Sequence, residues 1–349
     1  PTRPGSALPP QSGRELASRS ASGPVAPVPY RRQALAGPRP RWWRPILTVL
    51  LSAAAYASFF TIGTVALVLA LPEWTERILA GPLDTIDLAD PVAAVFSAVA
   101  IALMIPAIAI GVRLAEGRRL GALSSVAGRL RVRLLGRYGV LAAGVLAAFS
   151  GVLLLVDAAT GAAPTPSWGA SSAGLLATAL LLVPFQAAAE EYAFRALPQQ
   201  VLGAWLRSAW WGILLPVPLF VLGHDYNLPG QVSIAVFAVA TGILTWRTGG
   251  LEAAIALHVV NNASIFVLGA VGLVNLSSSE VTWLAVVLDA DGLTDDQIAA
   301  ITVAVLTHAE QRRRQAAPET RTHAPGSQLF ASRWVSVGRT QQTQPFRKS

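Results

Sequence analysis

A chain of 349 residues with 53% hydrophobic and only 13% charged residues departs from soluble globular composition, where about a quarter of residues are charged. The apolar residues fall in long blocks, which excludes a purely soluble fold and marks a polytopic membrane protein. The absence of cysteine excludes disulfides and thiolate chemistry, and the net charge of +8 sits in tails and loops beside apolar blocks. There the positive-inside rule accounts for it without a nucleic-acid partner.

Residues 1–44 are rich in Pro, Ser, Gly and Arg and read as a disordered basic tail. The first apolar segment follows them and is too long for an h-region, so no cleavable signal peptide is expected. A first span at 45–71 is flanked by Trp42, Trp43 and Trp74 in an aromatic-belt pattern. A second span, 91–112, leads into an arginine-rich stretch, 113–137, expected to lie as an amphipathic segment on the cytoplasmic surface. Further spans are expected at 139–156, from about Ala173, at 209–224, 231–246 and 251–276, with an eighth within 281–309 that "DADGLTDD" interrupts. The tail beyond 310 again reads as disordered.

The arginines check this order. With the amino terminus inside, basic segments at 1–44, 113–137, 195–207, Arg247 and 312–314 occupy every inner position of an eight-span protein. The loops at 73–90, 157–172, 225–230 and 277–280 hold one basic residue between them. The expectation is an all-α membrane protein of about eight helices, with both termini cytoplasmic. All basic residues but Lys348 are arginine. This usage, with abundant alanine, points to a GC-rich, bacterial genome and hence a bacterial plasma membrane.

Polar groups on apolar helices are costly and by default functional. Glu190, Glu191 and Arg195 end one apolar run, His224 ends the next, and His258 and Asn262 share a helical face four residues apart. Each has a plainer reading: Glu191 and Arg195 as an i,i+4 ion pair, Asn262 as interhelical glue, His224 as a cap at the outer surface. Adjacent helix residues point about 100° apart, so only one of Glu190 and Glu191 can face a given cavity. The other is free to pair with Arg195. The sixth span contributes no such residue.

Three stretches, "EEYAFR" at 190–195, "FVLGH" at 220–224 and "HVVNN" at 258–262, follow one another on apolar segments. In this order and context they resemble the EExxxR, FxxxH and HxxxN motifs of the CAAX-protease and bacteriocin-processing (Abi) family of intramembrane proteases. The resemblance covers about residues 170–275, and Ala196 departs from the glycine usual there in bacterial members. It implies a glutamate-type endopeptidase domain at 45–310 between tails at 1–44 and 311–349. By position, Glu190 would be the base that activates water and His224 would hold that water. His258 and Asn262 would donate to the oxyanion, with Glu191 and Arg195 in support.

The implied partners are the lipid bilayer and a membrane-associated protein or peptide substrate. Prenylated CAAX tails are the eukaryotic job of the family, so a bacterial chain is expected to cut other peptides or membrane proteins. No cofactor is expected on this reading. Zinc enters on a competing one, because one glutamate and two histidines make a plausible set with an open fourth position, although no HExxH is present. Two further readings are a membrane scaffold or immunity-type protein that keeps the motifs as packing, and a proton-coupled transporter, for which no inverted repeat is visible.

Overall fold

Proline and glycine punctuation decides where the apolar blocks become helices. The computed structural model describes residues 28–36, 41–80, 87–160 and 165–281. Among them α-helices dominate, and the one β feature is an isolated bridge between Ser125 and Gly250.

Helix α1, Arg44–Ala70, begins with Pro45 in its first turn and stops before Pro72, which opens the short α2, Pro72–Ala80. Proline suits a first helical turn because its missing N–H would have no partner there. Helix α3, Pro91–Ala102, is capped by Asp90, whose carboxylate accepts from the amides of Val92 and Ala93 at 2.7 and 3.0 Å. After a break at Leu103 it continues as α4, Met104–Glu116, and ends at Gly117 with φ of 73°. That left-handed conformation costs glycine nothing.

The arginine-rich stretch does not lie on a surface as one amphipathic segment. Gly117 stops the helix, a single turn α5 forms at Gly121–Ser124, and the chain folds inward. Arg118 is buried and pairs with Glu116 at 2.5 Å. Thr48 donates to the same carboxylate at 2.6 Å, and Arg118 donates to Gln200 at 2.9 Å. A buried charge is tolerable only when paired and hydrogen-bonded, and this one is.

Helix α6, Val132–Thr160, follows. Next come α7, Ser172–Leu181, and α8, Val183–Glu191, a π-turn at Tyr192–Ala196, and α9, Leu197–Trp205. The bend of 43° between α7 and the rest falls at Pro184, which leaves the carbonyl four residues earlier without its amide. The π-turn precedes Pro198, which likewise cannot donate.

Helices α10, Trp210–Leu214, and α11, Val217–Leu222, are short. Helix α12, Leu228–Thr248, is capped by Asn227 and ends at the left-handed Gly249, and α13, Glu252–Ala270, closes the described bundle.

The span count differs from the eight expected. Among the described residues five helices are long and apolar enough to cross a membrane, or six when the bent α7–α9 run is one span. The expected span at 209–224 is a broken apolar run, Trp210–Leu222. Pro216 and Pro218 interrupt it, and at 1.5 Å per residue it reaches only about 20 Å, short of a ~30 Å hydrocarbon core. The eighth expected span, 281–309, and the tail beyond 310 lie outside the described residues, apart from Val281.

The disordered amino-terminal tail also needs correcting in part. Residues 1–27 and 37–40 lie outside the described residues, but Tyr30–Ala36 forms a 3-10 helix with Tyr30 and Ala34 buried. The Tyr30 hydroxyl donates to the Leu123 carbonyl at 2.6 Å, and Tyr30 joins a core with Val112, Leu123, Tyr192, Leu197 and Leu251. The apolar outer faces, such as Leu50, Ile62 and Leu69 on α1, are what a bilayer would cover.

Candidate active site

Glu190 and Glu191 close α8, and the π-turn that follows carries Arg195. π-turns inside helices recur at functional sites because the extra residue re-aims side chains. Glu190, Glu191, Arg195 and His258 are all buried, with Glu191 at 0% and Arg195 and His258 at 2% exposure.

His258 stands between the two glutamates. Its Nδ1 lies 2.7 Å from Oε1 of Glu191 and its Nε2 lies 3.2 Å from Oε2 of Glu190. A carboxylate only accepts, so both contacts become hydrogen bonds when both ring nitrogens carry hydrogen. The cluster of Glu190, Glu191, Arg195 and His258 then sums to zero charge, which is what burial favours.

Glu191 also meets Arg195, Nε to Oε2 at 3.3 Å. The same Nε donates to the Thr241 hydroxyl of α12 at 2.9 Å, and the guanidinium lies 4.0 Å from the Phe220 ring centroid. Phe220 thus stacks against a cation, and its ring sits 6.3 Å from His258 and 4.7 Å from His224.

His224 is half-buried at the end of α11. Its Nδ1 donates to the Phe220 carbonyl at 2.8 Å, because a carbonyl can only accept, and this leaves Nε2 as the nitrogen free to face the site. His224 adjoins the cluster through the Phe220 ring, which lies near both histidines. Asn262 donates to Gln186 at 3.2 Å. Gln186 is one turn before Glu190, so Asn262 and Glu190 are neighbours along the α8–α13 contact. The four residues Glu190, Glu191, Arg195 and His258 are in direct contact, and His224 and Asn262 flank them.

Among the described residues, no group of three or more His, Cys, Asp or Glu side chains is arranged to hold a metal ion. The zinc set of the competing reading is Glu190, His224 and His258, and in this arrangement both nitrogens of His258 are directed at carboxylates.

Several contributing residues carry no motif. Gln186 repeats the i−4 position of Glu190 and was findable by spacing. Thr241 and Phe237 come from the span expected to contribute nothing, Phe237 with its ring 5.0 Å from that of His258. Their types, Thr and Phe on an apolar helix, give no signal of a site. Glu252 fixes the start of α13. Wholly buried, it accepts from the Arg131 amide at 2.8 Å and from Nε and Nη2 at 2.9 and 2.7 Å. Its hydrogen bonds hold the Arg131 guanidinium pKa above its usual value.

An all-helical membrane bundle enclosing paired glutamates, an arginine and a histidine is the architecture the three motifs call for. Residues 172–264 match the family model of the type II CAAX prenyl endopeptidase Rce1-like proteins, in agreement with the resemblance of the three motifs to the CAAX-protease family. The match runs from α7 into α13 and contains every candidate site residue. No curated protein and no solved structure matches the chain.

Proposed function

We propose that this protein is a glutamate-type intramembrane endopeptidase that hydrolyses a peptide bond in a membrane-associated protein or peptide. The observation that carries the reading is the contact of one buried histidine with both glutamates, because it divides their labour. Among the described residues, Glu191 is held by Arg195 and by His258 Nδ1, whereas the side chain of Glu190 has the longer His258 Nε2 contact.

Glu190 is the general base. It takes a proton from a water held by Nε2 of His224, and the resulting hydroxide attacks the scissile carbonyl carbon. The C=O electron pair moves to oxygen. Asn262 donates to that oxyanion, and so does His258 once its Nε2 exchanges Glu190 for substrate. Glu190 then returns the proton to the departing amine as the C–N bond breaks, so protons and charge balance. Glu191 and Arg195 act by fixing the His258 ring.

The arginine-rich ends of the helices face the cytoplasm on this reading, as the positive-inside rule requires. Arginine usage favours a bacterial membrane and a substrate without a prenyl group. The test is cleavage of membrane-anchored peptides in liposomes by wild type, Glu190→Gln, His224→Ala and Asn262→Ala, with and without chelator. Wild type is expected to cut regardless of chelator, and each variant to lose about 100-fold or more. Equal cleavage by all four removes the site. Loss of wild-type activity with chelator, restored by zinc, replaces the glutamate mechanism with a metal one.

A further inference from the structure

Buried polar side-chain atoms are nearly always hydrogen-bonded, and exceptions call for a reason such as ordered water. Among the described residues, the exceptions concentrate along one seam. Nη1 and Nη2 of Arg195, Oε1 of Gln199 and Oγ1 of Thr245 are all buried without a hydrogen-bond partner, and Oε2 of Glu190 and Oε2 of Glu191 have only their ion-pair contacts with His258 at 3.2 Å and Arg195 at 3.3 Å. Gln199 is 2% exposed and Thr245 0%.

The spacing makes the seam continuous. Glu191, Arg195 and Gln199 follow one another at four-residue steps, and opposite them Thr241 and Thr245 share a face of α12. The two elements are pinned together by Arg195 to Thr241 at 2.9 Å and Gln199 Nε2 to the Gly242 carbonyl at 2.9 Å. From Gln199 to Glu190 the seam runs about 14 Å at 1.5 Å per residue, starting two turns from the Trp205 end of α9.

The orphaned atoms are not satisfied locally. Phe220 offers Arg195 its ring face, but guanidinium N–H groups point outward in their own plane. Thr241 and Thr248 donate back to the carbonyls of Phe237 and Leu244 at 2.9 and 2.8 Å, whereas the Thr245 hydroxyl makes no such bond. Two donor groups and several acceptors facing one seam are the two to four polar partners that a buried water needs.

We propose that this seam is a hydrated path, leading from the Trp205–Thr248 end of the bundle to Glu190 and Glu191. Resting on the hydrolase reading above, it assigns the path the job of supplying the water that Glu190 activates. Arg195 thereby has a second role: one edge of its guanidinium holds Glu191 and Thr241, and the other lines the path.

The chain has no cysteine, so single cysteines can be read without background. Thr245→Cys and Val112→Cys, the second in the apolar core and equally unexposed, are compared in lipid nanodiscs using a small hydrophilic thiol reagent. A thiol reacts as its thiolate, which a dry apolar site suppresses, so Thr245→Cys should react at least ~100-fold faster. Equal rates for the two, fast or slow, overturn the proposal. Labelling needs no turnover: a chain that labels at 245 but cleaves nothing keeps the path and loses the protease. One that cleaves but does not label loses the path.

Discussion

Arg195 shows how closely stability and chemistry are joined at single residues. With its partner Glu191 it forms a pair exposed by 2% and 0%, and removing one member leaves the other charge buried alone. Arg195→Met should therefore lower unfolding stability by about 3–5 kcal/mol, measured by denaturant titration in detergent, and adding Glu191→Gln should recover part of the loss. An unchanged midpoint for Arg195→Met would show that the pair holds nothing together. At this scale the sequence was informative. Six polar residues on apolar segments pointed to a candidate site, because a charge in hydrocarbon has few reasons to be there, and the structure brings four of them into contact. What could not be read was which nitrogen meets which carboxylate. That depends on how α8 and α13 cross, and no spacing encodes it. Thr241 and Phe237 were hidden for a different reason: their chemistry is ordinary, and only their partners make them notable.

Two contacts between elements hold the helices in their places. The first is the anchor of α13, where Glu252 takes three hydrogen bonds from Arg131. Glu252→Gln keeps the shape but gives up the charge, leaving the guanidinium without its counter-ion. A loss of about 1.5–3 kcal/mol, the range for hydrogen bonds to charged groups, is expected in the same titration. The second is the crossing of α1 and α4 at Gly111, where a Cβ would fall 2.7 Å from the Thr48 carbonyl oxygen. Small residues let membrane helices approach this closely, so Gly111→Val should force them apart at about 1–3 kcal/mol. A wild-type midpoint for that variant would show that the crossing is loose. Helix positions were largely legible from apolar blocks, while their continuity was not. Pro184 bends a span that hydropathy reads as one, and Pro216 and Pro218 cut another below membrane thickness. Hydropathy averages over a window and does not register a missing amide.

Across the whole described chain, the amino-terminal segment is the largest departure from expectation. A composition of Pro, Arg and Ser predicts a solvated tail, yet Tyr30 inserts 93 residues away from its partner Leu123. One aromatic in a polar stretch was the available signal. Burial and the charges of Tyr192 and Glu252 push the Tyr30 phenol pKa well above its usual value, so the folded state keeps the proton where the unfolded state, with a pKa of about 10, loses it. Stability should thus fall as pH rises past about 10. Tyr30→Phe should remove that component and cost about 1–3 kcal/mol at neutral pH through the unsatisfied Leu123 carbonyl. An identical alkaline profile for the variant would refute the buried position. The account as a whole rests on two adjacent glutamates with separate duties, and one comparison addresses it directly: the peptide-cleavage rate and unfolding midpoint of Glu190→Gln beside those of Glu191→Gln. The prediction is cleavage lowered about 100-fold or more by folded Glu190→Gln, and a midpoint lowered further by Glu191→Gln, which leaves the buried Arg195 without its counter-ion. Wild-type cleavage by folded Glu190→Gln would contradict it.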